Sequence, residues 1–144
     1  MTIVATFGIW DLFHQGHLRL MNMAKNLGDT LIVGVATDRL AEEYKRKPII
    51  PLYQRIDIVE NIKCVDSVVQ YDNLDVTEIL MKLKIDIMVV GGDWGKYPEQ
   101  KKYKKYLQQN GKQLVKIPYM QGTSTTMIRK RILDNDITRK ERPD

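Results

Sequence analysis

"FGIWDLFHQGHLRL", residues 7–20, holds both histidines of the chain, His14 and His17, three positions apart with Gly16 between them. It lies where a strand-like apolar run, "TIVATFG" (2–8), gives way to helical spacing. From Gly16 to Leu27 the apolar residues Leu18, Leu20, Met21, Met23, Ala24 and Leu27 recur every three or four positions, and Gly28 follows as a stop. The same alternation continues down the chain. Strands are predicted at 30–36, 67–71, 85–92 and 113–118, and helices at 51–62, 76–83, 98–111 and 124–133.

Alternation at this spacing predicts a single α/β domain, Rossmann-like, with a parallel sheet of about five strands covered by helices on both faces. The domain is expected over residues 1–134, with 135–144 a tail that frays. Ligands of such sheets bind beyond the carboxyl ends of the strands, where the strand order reverses. Three strands deliver suggestive residues there. The first leads to Gly8, Asp11, His14 and His17, another to Gly91, Gly92, Asp93 and Trp94, and the last to Gly122, Ser124, Thr125 and Thr126.

The chain has 144 residues, enough for one core without disulfides. Cys64 is its only cysteine; it sits in an apolar run and reads as a small core residue in a reducing compartment. No signal peptide is expected, because the apolar start is stopped by Asp11 and has no basic leader, and no run approaches the ~20 apolar residues of a membrane span. A cytoplasmic location is expected. The net charge of +5 points to an anionic partner. Aromatic residues are not interleaved with the basic ones as a nucleic-acid stacking platform requires, so a nucleoside triphosphate fits better than nucleic acid.

A histidine pair at a predicted helix start has a specific use. The first backbone N–H groups of a helix lack partners and its dipole is positive there, so an anion is favoured. Two imidazoles one turn apart can donate into the same site. One histidine alone would read as a cap or a core residue. Ser124, Thr125 and Thr126 begin the last helix and form an anion site of the same type.

"GIWDLFHQGHLRLMNMAKNLGD" resembles the signature of the HxGH nucleotidyltransferase superfamily in its cytidylyltransferase branch. The likeness extends through "VATD" (36–38 with Val35), Tyr53 and Arg55, "VDSV" (65–68), "GGDW" (91–94) and "GTSTT" (122–126). It implies in-line attack of an acceptor phosphate on the α-phosphorus of CTP, the acceptor being a small phosphorylated alcohol such as glycerol 3-phosphate. By the same resemblance, His14, His17, Arg55, Lys45 and Lys47 would serve catalysis. Gly8, Ile9, Trp10, Asp11, Gly16, Asp93, Trp94, Gly122, Ser124, Thr125 and Thr126 would line the nucleotide site. Mg²⁺ would arrive with the triphosphate, with no metal ligands from side chains. A homodimer and a product feeding a cell-surface polymer, teichoic acid or capsule, are also implied.

Two stretches depart from that branch. Tyr119, in "YMQGTST" (119–125), stands where the branch has an arginine, and Lys63-Cys64 replaces Arg-Tyr before Val65-Asp66. A sugar-phosphate branch lacks that arginine too, which keeps open an ATP-dependent sugar 1-phosphate nucleotidyltransferase. An FAD synthetase shares the histidine signature, and a nucleotide-binding module without turnover is the reading from a different class.

Overall fold

A computed structural model describes the backbone of residues 1–141 and the side chains of residues 1–135. Five strands, β1 (Ile3–Gly8), β2 (Thr30–Ala36), β3 (Ser67–Tyr71), β4 (Ile87–Val90) and β5 (Gln113–Lys116), form one sheet in the order β3-β2-β1-β4-β5. Every neighbouring pair is parallel. The central strands are short β-branched runs buried on both faces, as in "TLIVGVA" and "IMVV". The edge strands "SVVQY" and "QLVK" keep exposed polar residues at their ends.

The helices are α1 (Gln15–Lys25), α2 (Asp38–Tyr44), α3 (Leu52–Glu60), α4 (Thr77–Lys82), α5 (Pro98–Gln109) and α6 (Thr125–Glu141). Successive strand residues face opposite ways, so the sheet divides two cores. On one face Ala5, Ile32 and Met88 pack with Leu40 of α2, Leu80 of α4 and Leu107 of α5. On the other, Val4, Val33 and Val89 pack with Met21 and Ala24 of α1 and Val59 of α3. Cys64 is half-buried beside this second core, and burial raises its thiol. Asp66 ties α1 to β2: its carboxylate accepts from the Leu31 N–H and the Lys25 ammonium, both at 2.7 Å.

Two elements differ from expectation. No element is predicted between 37 and 50, but 38–44 is helical. Thr37 Oγ1 caps it by accepting from the Leu40 N–H, while its seven residues are too few to show a period. The last helix runs to Glu141 rather than ending at 133. Residues 142–144 of the expected tail lie outside the described residues.

The chain visits β1, β2 and β3 on one side of β1, then returns to place β4 and β5 on the other. The strand order therefore reverses between β1 and β4, and their carboxyl ends open a crevice.

Candidate active site

A cavity of about 590 Å³ occupies that crevice. Its wall includes Gly8, Ile9, Trp10 and Asp11 after β1, His14, Gly16 and His17 at the start of α1, and Gly91 and Asp93 after β4. Lys45 and Arg46 after α2 and Gly122 through Met127 at the start of α6 complete it. The two helix starts touch: a Cβ on Gly16 would lie 3.2 Å from the Thr123 methyl, and Thr125 Oγ1 donates to the Asp11 carbonyl at 3.0 Å.

The loop from β1 to α1 is held tightly. Trp10 and Leu12 have φ of +58° and +48°, a region that costs non-glycine residues about 1–2 kcal/mol each. Burial of Trp10 and its indole N–H to the Gly34 carbonyl at 2.8 Å offset that cost. Asp11 is 5% exposed, and its carboxylate accepts backbone N–H bonds from Leu12, Ile49 and Ile50. It anchors the Lys45–Ile50 segment and does not orient a histidine.

His14 is the N-cap of α1. Its Nδ1 accepts from the Gly16 N–H at 3.1 Å, while its own N–H donates to His17 Nδ1 at 3.3 Å. The rings stack at 3.7 Å. Because both Nδ1 atoms accept, a neutral imidazole must carry its proton on Nε2. Burial, with the His14 and Lys45 charges adding to it, pushes His17 down to about 3, and burial lowers His14 as well. Near neutral pH the pair is thus two uncharged Nε2–H donors on one wall. Gly16 is required by His14 itself: a Cβ there would meet the His14 ring at 2.9 Å.

The other helix start uses hydroxyls. Ser124 Oγ accepts from the Met127 N–H at 3.0 Å, and Thr126 Oγ1 meets the Arg46 guanidinium at 3.5 Å. The first turn of α6 leaves N–H groups without helical partners. Lys45 lies on the wall, and so does Arg46, which sequence reasoning missed. Lys47 is exposed and not on it.

Arg55 is corrected most. Expected at the phosphates, it is fully buried, with Nε donating to the Ile50 carbonyl, Nη1 to the Ile9 carbonyl and Nη2 to Asp38 at 2.6 Å. It is a positioning residue that pins Ile9 and Ile50 and does not reach the cavity.

Asp93 and Trp94 separate. Asp93 lines the histidine cavity and hydrogen-bonds the Tyr119 phenol, which loss of water and this carboxylate together push well up. Tyr119 lies flat on Gly91 and Gly92, where a Cβ on either would come within 3.3 Å of the ring. Trp94 lines a second cavity, its indole N–H donating to the Tyr103 hydroxyl.

The arrangement suits a polyanion. Neutral N–H donors and two cations face inward, and Asp11 is spent on backbone bonds.

Comparison with known proteins agrees with this chemistry. Residues 5–131 match the cytidylyltransferase-like family. The chain is 38% identical to glycerol-3-phosphate cytidylyltransferase of Bacillus spizizenii, covering 90% of this chain and 96% of that protein. It is 39% identical to FAD synthase of Archaeoglobus profundus, covering 92% and 86%. It is 36% identical to the bifunctional protein HldE of Syntrophotalea carbinolica over 92% of this chain, but spans only 27% of that protein. A lipopolysaccharide core biosynthesis protein from Thermoplasma volcanium superposes with a TM-score of 0.70 at 27% identity, covering 83% and 97%. The chain belongs to the cytidylyltransferase-like family and is a nucleotidyltransferase.

Proposed function

We propose that this enzyme transfers a cytidylyl group from CTP to the phosphate of a small phosphorylated alcohol and releases pyrophosphate. Glycerol 3-phosphate, giving CDP-glycerol, is the reference acceptor. One observation carries the reading: two helix starts, one bearing paired imidazoles and one bearing hydroxyls, face a single cavity at the reversal of strand order.

An acceptor phosphate oxygen attacks the α-phosphorus as the bond to the bridging oxygen breaks. The attacking group is already an oxyanion, so no general base is required. His14 and His17 Nε2–H groups donate to α-phosphate oxygens as charge builds, and preorganised neutral donors of this kind need no reorientation. Lys45, Arg46 and the first turn of α6 hold the departing pyrophosphate. Among the described residues no three His, Cys, Asp or Glu side chains cluster as a metal site. Mg²⁺ would arrive with the triphosphate as part of the substrate and supply charge neutralisation there. The proposal includes a homodimer and a cytoplasmic location; no described helix is long and apolar enough to cross a membrane.

Tyr119 in place of a cation favours a second reading, transfer from ATP to a sugar 1-phosphate, in line with the HldE relatives. The test is pyrophosphate release with CTP or ATP against a panel of phosphorylated acceptors, with product mass read directly. A CDP-alcohol supports the first reading and an ADP-sugar the second. Tight nucleotide binding without pyrophosphate from any acceptor would replace both with a binding module.

A further inference from the structure

The N–H donors and cations of the larger cavity account for the phosphates of a nucleotide and leave its base without a surface. A base is flat and sheds water best against another flat group. Besides the histidines, Phe7, Trp10 and Tyr119 are the aromatic residues on that wall. Two of them are committed elsewhere. Trp10 is 7% exposed and meets His17 edge-on at 5.3 Å, and Phe7 meets Tyr71 edge-on at 5.2 Å. In the second cavity, of about 180 Å³, the rings are likewise packed in pairs, Tyr44 with Tyr97 at 5.0 Å and Trp94 with Tyr103 at 5.9 Å.

Tyr119 is different: it is 61% exposed. A Cβ on Gly91 would come within 3.3 Å of its Cε1, and one on Gly92 within 3.3 Å of its Cδ2. Those two atoms lie across the ring from each other, so the ring spans both glycines with one face against their backbone. Its other face is open to the cavity. The position is fixed at several points. The phenol donates to the Asp93 carboxylate and accepts from the Asp93 N–H. Arg19 Nη1 donates to the Pro118 carbonyl at 3.2 Å, and the Ile117 N–H donates to the Val90 carbonyl at 2.9 Å. A ring held this way loses little freedom when a ligand settles on it.

We propose that the open face of Tyr119 is the platform on which the nucleobase stacks, and that it makes the site tolerant of which base it holds. The inference rests on the nucleotidyl-transfer reading for the presence of a nucleotide. Hydrogen bonds read the edge of a base, whereas a ring meets its π-face, which every base has. Tyr119 therefore accepts cytosine and adenine alike, and grips the two-ring purine harder. The base is remote from the reacting phosphorus, so the stack is equally strong before and during transfer. It sets KM and leaves kcat alone.

The test is calorimetry with CTP, ATP and inorganic tripolyphosphate, each with Mg²⁺, on the unaltered protein and on Tyr119→Ala and Tyr119→Phe. Tyr119→Ala should raise Kd about tenfold for CTP, within the range for one base on one aromatic ring, and more for ATP. Tripolyphosphate, which has no base, should bind within about twofold of normal. The loss should persist in high salt, because no charge is removed. KM for the nucleotide should rise with kcat unchanged. Tyr119→Phe keeps the ring and drops the Asp93 bonds; it should stay within about threefold, since a net hydrogen bond at an exposed site is worth little. An equal loss with tripolyphosphate would make Tyr119 a phosphate contact and overturn the platform. Unchanged or tighter nucleotide binding in Tyr119→Ala would show a ring that covers the site, and overturns it too. So does a Tyr119→Phe loss as large as that of Tyr119→Ala. Each of these leaves nucleotidyl transfer standing. Failure of the unaltered protein to bind either nucleotide overturns both.

Discussion

The two cavities share one rim and one stretch of backbone, yet their walls are opposites. The larger is lined by N–H donors, hydroxyls and two cations; the smaller is lined by rings. The first gains most from a ligand that carries charge, because its donors are already held in place. The second gains from a ligand that sheds water cheaply. The two cavities share Gly8, Ile9 and Lys45, so the proposed reading would have the two substrates meet there. Substitutions in the larger cavity should lower turnover with every acceptor, whereas those in the smaller should change which acceptor is used.

The largest expected effect lies beneath both. Arg55→Met strands the Asp38 carboxylate and frees the Ile9 and Ile50 carbonyls. Asp38 is half-exposed and is resolvated by water, but the two buried carbonyls lose their donor at about 1–3 kcal/mol each, to be read from urea unfolding. Full stability with nucleotide binding alone lost would instead make Arg55 a phosphate ligand. Next come the imidazoles. His14→Ala and His17→Ala should each lower kcat by about 10²-fold or more, the scale for one preorganised donor, with every acceptor alike. A loss confined to one acceptor would move the pair out of the nucleotide cavity.

The third effect is pH dependence. In the unfolded chain His17 titrates near 6.5, but in the fold it resists protonation until about 3. Between those values the unfolded state binds more protons, so stability falls as pH falls, by up to about 1.4 kcal/mol per pH unit. Above 6.5 this contribution is complete and flat. His17→Gln should flatten the acid limb of a stability–pH curve; an unchanged limb would mean that another group sets it.

The same contrast explains what the sequence discloses. The larger cavity was legible because its parts are contiguous. "HQGH" and "GTSTT" each place several functional groups on one helix start, and strand–helix alternation places both starts at one edge. The aromatic cavity was not. Phe7, Tyr44, Tyr71, Trp94, Tyr97 and Tyr103 come from separate elements or loops, and apart from Trp94, which the family resemblance places at the nucleotide, none is marked in its own segment. Only the strand order β3-β2-β1-β4-β5 gathers them, and no local spacing encodes that order. Arg55 failed for a related reason. The sequence shows an arginine on an amphipathic helix, while its burial depends on carbonyls that the site loop and the Lys45–Ile50 segment present.

The smallest expected effect tests side-chain direction alone. Arg46 and Lys47 are adjacent, both exposed and both cationic, so a purely long-range field would treat them alike within a Debye length. Only Arg46 lies on the wall and reaches Thr126. Arg46→Ala should weaken triphosphate binding about fivefold, the upper range for an exposed ionic contact, and added salt should shrink the difference. Lys47→Ala should stay within about twofold. Equal losses would mean that the basic segment acts as a diffuse charge. A larger loss at Lys47 would mean that the segment turns over when nucleotide binds, bringing to the phosphates the residue that the unliganded fold holds away.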